Sequence, residues 1–387
     1  MKKTVLFLFP FGKNLGVGHL VRQAVIGKAL REAGYETVLW SDGQLTDIPS
    51  SFKAELELGF DRIMPPSAII DDSKLPSAAA VKDLDKMDSL AAVIIDDYRK
   101  VGDPRRLEML KALRALTKAR SATVNMVDGV VGLEFDEVDR IINIELGLDE
   151  KLYKPQWKSK MIHDIKNTLL RPAFFKSEPI PDKIPENPFA VMIGGADPMN
   201  CALPILQGMV GQGYNPILVS PKSAKPEDAA RIGSLEKALS VFPQSLWLHS
   251  LSAGQMRTLW DTVKFAIVGG PGASFFGELF YTRCPFIGVF SNRSLEENVK
   301  AIERMGIPAL RAQNHDALMQ AVWAQGQPVS AQFVKGDLVR AVRLLESLGT
   351  IKNRLPNTPP FNEVDEHGAE RALAALGLGA GILEGCR

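Results

Sequence analysis

The chain has 387 residues, a net charge of +1, 45% hydrophobic residues and 24% charged residues, a composition typical of a globular protein. This length exceeds one ordinary hydrophobic core, so we expect two domains. The balanced charge and the lack of a basic block exclude nucleic acid as an expected partner. Three cysteines without paired spacing exclude a disulfide framework and a zinc site, and they favour the cytoplasm. No run approaches about 20 apolar residues, so no membrane span is expected.

The first predicted element is a buried strand at residues 4–9, which leads into a glycine turn and a helix over 21–33. Gly16 and Gly18 let the backbone approach a ligand, and the N–H groups of the first helical turn favour negative charge. This turn also carries His19, and histidine is the one side chain that titrates near neutral pH without help, so its imidazole would lie beside a bound phosphate. The alternative is that the turn binds nothing and that His19 caps the helix.

Further strands alternate with helices through the first half of the chain, which indicates parallel βαβ units. Asp96 and Asp97 follow one of these strands, at the edge of the sheet where ligands bind in such folds. Adjacent residues point to opposite faces, so only one of them faces a ligand, and we favour Asp96 over the alternative of a strand-end cap. The strands are expected at residues 36–40, 91–95, 122–127 and 140–144, and a helix at 105–117.

A proline-rich stretch at 179–188 predicts a linker between a first domain at 1–178 and a second at 189–348. The second domain repeats the α/β pattern and has its own glycine turns, at Gly194 and Gly195 and again at 269–272. We therefore predict two Rossmann-like domains that face each other across a cleft. Strands are expected at 189–193, 216–219, 245–248, 265–268 and 285–289, helices at 251–260, 295–305, 316–323 and 331–348, and a C-terminal region at 349–387 with a helix at 366–376.

Several motifs together resemble those of the UDP-sugar hydrolases of pseudaminic acid biosynthesis, which have the GT-B fold of many glycosyltransferases. The glycine turn matches that family's pattern Gly-x-Gly-His-x-x-Arg, and its Asp-x-Tyr pattern stands here at 96–98. The remaining matches are Gly194-Gly195-Ala196-Asp197-Pro198, Leu170-Arg171-Pro172-Ala173-Phe174, the turn from Gly270 to Glu278, and Asp365 to Arg371.

The resemblance implies hydrolysis with inversion at the anomeric carbon, without a cofactor or a metal ion, on a small nucleotide-sugar substrate. His19 would be the general base, and Asp96 and Tyr98 would face the sugar. The other residues that it implies for substrate binding are Gly16, Gly18, Arg22, Gly194, Gly195, Asp197, Gly270, Gly272, Ser274, Glu278, Asn292 and Arg293.

Structural alternatives stand beside two of these roles. Asp197 is also a plausible N-cap, and Glu278, expected in the first turn of its helix, would interact favourably with the helix dipole there. The family usually has Trp-Glu and Asn-Gln where this chain has Gly277-Glu278 and Asn292-Arg293. Two other functions therefore stay open: transfer of the sugar to an acceptor, and binding of another nucleotide-bearing ligand.

Overall fold

A computed structural model describes residues 2–9, 18–41, 53–69, 76–87, 89–96, 104–128, 136–143, 146–147, 151, 153–193, 197, 200–220, 229–249, 251–269, 274–290, 296–314, 331–334 and 336–378. The chain forms two compact units. Unit 1 consists of Met1–Pro172 together with Val364–Arg387, and unit 2 consists of Ala173–Glu363. Each unit is a parallel α/β domain, as the alternation of strands and helices predicted.

Unit 1 is built on one parallel sheet. Its described strands and helices are β1 (Thr4–Leu8), α1 (Gly18–Glu32), β2 (Glu36–Trp40), α2 (Lys53–Gly59), β3 (Arg62–Met64), β4 (Leu90–Ile95), α3 (Pro104–Ala119), β5 (Thr123–Asp128), β6 (Arg140–Asn143), α4 (Pro155–Lys158) and β7 (Met161–Ile162). The order of these strands in the sheet is β3-β2-β1-β4-β5-β6-β7. The five strands expected from the sequence are confirmed to within one residue at each end.

Both faces of this sheet are buried. Val5 and Phe7 of β1 pack with α1 on one face, while Leu6 and Leu8 pack with α3 on the other. Because successive side chains of a strand point to opposite faces, a strand that is covered on both sides must be apolar throughout. This explains why β1 and β4 are continuous hydrophobic runs.

Unit 2 is built on a second parallel sheet. Its described strands and helices are β8 (Pro188–Ile193), α5 (Ala202–Met209), β9 (Asn215–Val219), α6 (Ala229–Leu239), β10 (Leu246–Leu248), α7 (Ala253–Thr262), β11 (Phe265–Gly269), α8 (Ser274–Thr282), β12 (Phe286–Phe290), α9 (Glu296–Arg304), β13 (Ala309–Arg311), α10 (Asp337–Ser347) and α11 (Thr350–Asn353). The order of these strands is β10-β9-β8-β11-β12-β13. The helix expected at 331–348 begins only at Asp337, and the helix expected at 316–323 lies outside the described residues.

The last described helix, α12 (Gly368–Ala375), returns to unit 1. Arg371 donates a hydrogen bond to the carbonyl of Lys166 over 2.9 Å and pairs with Asp365. A Cβ at Gly368 would lie 2.0 Å from the carbonyl oxygen of Thr168, so this close approach requires glycine. The segment Val364–Arg387 therefore belongs to unit 1, and Ala372 and Leu373 of α12 complete the core on the α1 side of the sheet.

The strand order of each sheet defines a switch point where successive connections reverse direction. In unit 1 it lies between β1 and β4, and in unit 2 it lies between β8 and β11. Open α/β sheets bind ligands outside the carboxyl ends of the strands at this point. In unit 1, β1 is followed by α1 and β4 is followed by Asp96, so a site is expected at the carboxyl ends of these two strands.

Candidate active site

Four polar side chains form a buried cluster at the switch point of unit 1. His19, Arg22 and Gln23 lie on α1, and Asp96 follows β4 directly. Their exposed fractions are 5%, 7%, 0% and 0%. Residues three and four apart share one face of a helix, so α1 directs all three of its side chains to the same carboxylate. We call this group the His19–Asp96 cluster.

Asp96 is fixed by its backbone as well as by its side chain. Its amide N–H donates to the carbonyl oxygen of Leu8 over 2.9 Å, which holds it beside the end of β1. Nδ1 of His19 lies 2.7 Å from Oδ1 of Asp96. Arg22 binds the same carboxylate through both Nε and a terminal nitrogen. Nε2 of Gln23 donates to Oδ2 over 3.0 Å.

Asp96 is ionised in this environment. Burial alone raises the pKa of Asp96, but the charges of Arg22 and His19 and the hydrogen bonds from both residues outweigh it, so this pKa lies well below its ordinary value. A buried anion with this set of donors is stable as long as the donors remain in place.

The ionised carboxylate determines which nitrogen of His19 carries the proton. Nδ1 of His19 lies 2.7 Å from both Oδ1 of Asp96 and a terminal nitrogen of Arg22. The guanidinium nitrogen can only donate, and it has Oδ1 of Asp96 as its acceptor. If Nδ1 lacked its proton, its lone pair would face the negative oxygen with no hydrogen between them, which is repulsive. We therefore assign the proton to Nδ1, which donates to Asp96, so that Nε2 carries the lone pair and can accept a proton.

In unit 2, Asp197 lies after β8, four residues before Cys201, which occupies the N-cap position of α5. Asp197 is therefore not the N-cap residue, but its carboxylate accepts hydrogen bonds from the N–H groups of Cys201 and Ala202 over 2.8 and 2.9 Å. Its backbone has a φ of +42°, which is uncommon outside glycine. Burial raises the pKa of Asp197 to about 6, and the hydrogen bonds from Ala202 and Cys201 offset only part of this effect.

Glu278 is buried in unit 2 and accepts a hydrogen bond from Nε1 of Trp260 over 3.1 Å. Because α8 begins at Ser274, Glu278 lies in its second turn, and the expectation that it lies in the first turn is wrong. The first turn of α8 contains no acidic residue. Trp260 on α7 is fully buried and orients this carboxylate.

The structure describes only part of the predicted site. It brings His19, Arg22 and Asp96 together, whereas Asp197 and Glu278 lie in unit 2. Gly18 and Ser274 are the first residues of α1 and α8, and the side chain of Ser274 is not described. The remaining predicted residues lie outside the described ranges: Gly16, Tyr98, Gly194, Gly195, Gly270, Gly272, Asn292 and Arg293. Sequence reasoning missed Gln23 and Trp260. The signal for Gln23 was its spacing of four from His19, which places the two side chains on one face of α1.

No protein-family model and no curated protein sequence matches the chain. Its fold is similar to that of a Listeria monocytogenes protein described as a UDP-N-acetylglucosamine 2-epimerase, with a TM-score of 0.58, 12% identity, and coverage of 97% of this chain and 96% of that one. A glycosyltransferase from Rickettsia africae has a TM-score of 0.57, 14% identity and coverage of 97% and 99%. The UDP-GlcNAc 2-epimerase of Neisseria meningitidis, bound to UDP-GlcNAc, has a TM-score of 0.54, 10% identity and coverage of 97% and 99%.

These similarities, together with the two parallel sheets, establish the GT-B fold that the sequence motifs implied. At such low identity they define the class of fold, and the chemistry has to be argued from the site. None of the described helices combines the length and the hydrophobicity that a membrane span requires.

Proposed function

We propose that this protein is a nucleotide-sugar hydrolase that acts on a UDP-linked amino sugar. The observation that carries the proposal is the buried pair of His19 and Asp96, whose Nδ1 and Oδ1 atoms lie 2.7 Å apart at the switch point of unit 1. In the reaction a water oxygen bonds to the anomeric carbon while the bond from that carbon to the phosphate oxygen breaks. UDP leaves with the bonding electrons, and the free sugar carries a hydroxyl group whose oxygen comes from water.

Each member of the His19–Asp96 cluster has a role in this reaction. His19 takes the proton of the attacking water on Nε2 and becomes an imidazolium. Asp96 holds the Nδ1 proton and stabilises that imidazolium, as the acidic partner does in other base dyads. Arg22, expected to bind substrate, acts as the counter-charge that keeps Asp96 ionised. The resemblance of the motif at 16–22 to the hydrolase family favours water as the nucleophile.

The leaving diphosphate is assigned to unit 2. The carboxylate of Asp197 already accepts two N–H groups at the start of α5, so those donors do not serve a phosphate. The first turn of α8 has no acidic residue, and a helix N-terminus of this kind stabilises negative charge without a metal ion. Glu278 would accept hydrogen bonds from the ribose, with Trp260 holding its carboxylate.

Transfer to an acceptor is the second candidate function. A base that takes a proton from water takes one equally well from the hydroxyl group of an acceptor. One of the similar structures is that of a glycosyltransferase. The two functions differ in whether UDP is released when no acceptor is present.

The proposal is tested by incubating the protein with a panel of UDP-amino sugars without acceptor and following the products by phosphorus and proton NMR. We expect UDP and free sugar, with turnover about a hundredfold or more lower in His19→Gln because the general base is lost. His163→Gln, which changes an exposed histidine, serves as the control and retains wild-type turnover. Saturable UDP binding without turnover, or a product inverted at C2 that still carries UDP, would contradict hydrolysis.

A further inference from the structure

Gln23 is a fully buried side chain whose presence the fold alone does not explain. Its Nε2 donates to Oδ2 of Asp96 over 3.0 Å. Within the part of the chain that the structure describes, its Oε1 has no hydrogen-bond partner. A buried carbonyl oxygen without a partner destabilises the fold, whereas methionine at this position would fill similar space without that penalty. The bond to Asp96 is therefore the contact that a glutamine provides here and an apolar residue does not.

The two oxygens of Asp96 have different partners. Oδ1 faces Nδ1 of His19 and a terminal nitrogen of Arg22, while Oδ2 accepts from Nε of Arg22 and from Gln23. The bonds at Oδ2 resist rotation of the carboxylate, so Oδ1 stays directed at the imidazole. Arg22 binds both oxygens as a bidentate fork, which holds the carboxylate in the plane of the guanidinium. Gln23 adds a bond from a second side chain at Oδ2 alone, so the two oxygens are not equivalent and Oδ1 is the one left facing His19.

We propose that Gln23 is a positioning residue of the hydrolytic site. It holds the carboxylate of Asp96 in the orientation that keeps the proton of His19 on Nδ1 and the lone pair on Nε2. The kinetic consequence rests on the proposed function, whereas the effect on the histidine proton follows from the geometry of unit 1 alone. Gln23 touches neither water nor substrate in this proposal and acts through Asp96.

The first test compares Gln23→Met with Asn125→Leu. Asn125 is also a fully buried amide of unit 1 with an oxygen that has no partner among the described residues, and its Nδ2 bonds to Thr123 rather than to the cluster. We expect kcat for UDP release to fall about tenfold in Gln23→Met with KM unchanged, and to stay at the wild-type value in Asn125→Leu. Equal effects of the two substitutions on kcat would overturn the proposal.

The second test uses Gln23→Glu, which keeps the size of the side chain. When the introduced carboxyl group is protonated it donates to Oδ2 of Asp96 as the amide did. When it ionises, the donor is lost and a second negative charge faces Asp96. We therefore expect the kcat of this variant, relative to wild type, to be highest near pH 5 and to decline as the pH rises to about 8. A ratio that does not change with pH would contradict a positioning role.

A measurement without substrate separates this proposal from the proposed function. Nitrogen-15 NMR of labelled histidines reports which ring nitrogen carries the proton, with His19→Gln used to assign the signal. We expect the Nδ1-protonated form in wild type and in Asn125→Leu, and a mixture of the two forms in Gln23→Met. If no UDP-sugar is hydrolysed but the tautomer shifts, hydrolysis is wrong and the role of Gln23 stands. If hydrolysis occurs but the tautomer is unchanged, the role of Gln23 is wrong.

Discussion

At the level of single residues, the interior of unit 1 contains an ion pair in a position where a protein core is usually apolar. Arg22 and Asp96 are both at least nine-tenths buried and contact each other directly. Taking two charges out of water is expensive, and replacing such a pair with apolar residues is often neutral or stabilising. The pair is consistent with a role in orienting His19, since a perturbed, buried carboxylate beside a histidine is typical of functional sites.

A double-mutant cycle tests this interpretation. Arg22→Met and Asp96→Leu each leave a buried charge without its main partner, so we expect each to lower the free energy of unfolding by about 3–5 kcal/mol. The double variant should recover at least about 2 kcal/mol of the summed loss while staying inactive. Urea unfolding at neutral pH gives the free energy of unfolding of the wild type, the two single variants and the double variant. If the losses of the two single variants simply add up in the double variant, Arg22 and Asp96 do not form the ion pair described above.

The sequence predicts which residues have a chemical role better than it predicts which of these residues contact one another. His19 and Arg22 were visible from the glycine-turn motif, and Asp96 from its place after a buried strand. Their contact depends on β4 lying beside β1, and the pairing of two strands far apart in the chain leaves no local signal. The sequence does not reveal Gln23, because a single glutamine on a helix normally faces solvent. Gln23 is buried here because Asp96 lies against the same face of α1.

At the level of elements, the position of α1 is set by its close packing on α2. A Cβ at Gly27 would lie 2.2 Å from the carbonyl oxygen of Gly59. That carbonyl also accepts a hydrogen bond from Oγ1 of Thr37 over 2.9 Å, so it is not free to move away. Since α1 carries three of the four members of the His19–Asp96 cluster, this glycine contact also helps to position the site.

Gly27→Ala should therefore displace α1. We expect a loss of about 3 kcal/mol in the free energy of unfolding, because the added methyl group overlaps backbone atoms. Gly233→Ala in α6 is the matched control, since a Cβ there meets nothing within 4 Å, and it should stabilise by about 0.5–1 kcal/mol. Thermal and urea unfolding measure both. Stabilisation by Gly27→Ala would show that the two helices are further apart than described here.

The elements that the sequence predicted are those with long hydrophobic patterns. Strands such as β4 and β8 have five or more consecutive apolar residues and were predicted almost to the residue. The edge strands β3 and β13 have three residues each, one of which is an arginine, so no apolar run stands out. The start of α10 was predicted too early because Gly336, with a φ of +89°, ends the apolar run before the helix begins.

At the level of the whole molecule, the two units contain buried carboxyl groups whose pKa values shift in opposite directions. Asp96 in unit 1 has a lowered pKa, so it contributes stability above its ordinary pKa and loses that contribution as the pH falls. Asp197 in unit 2 has a raised pKa, so its folded form binds the proton more tightly than the unfolded chain does. Its contribution is present at low pH and is lost as the pH rises through about 6.

Asp197→Asn should remove the pH dependence of stability that the raised pKa of Asp197 causes. The pKa rises from 3.8 to about 6, which corresponds to roughly 3 kcal/mol at neutral pH. Asparagine tolerates a positive φ, but its single oxygen can replace only one of the two acceptors, Oδ1 and Oδ2, that bind the N–H groups of Cys201 and Ala202. The lost bond costs about 1 kcal/mol at any pH. We therefore expect the variant to be less stable than wild type by about 1 kcal/mol near pH 4 and more stable by about 1–2 kcal/mol at pH 8.

Urea unfolding across that pH range is the measurement, with the exposed Asp182→Asn as the control for the loss of one carboxyl group. A variant that is less stable than wild type at pH 8 would mean that the ionised carboxylate is a net stabiliser of the α5 N-terminus. In that case the N–H groups of Cys201 and Ala202 compensate fully for its burial. The same result would strengthen the assignment of the diphosphate to α8, because Asp197 would then remain an anion that repels phosphate from α5 throughout the physiological range.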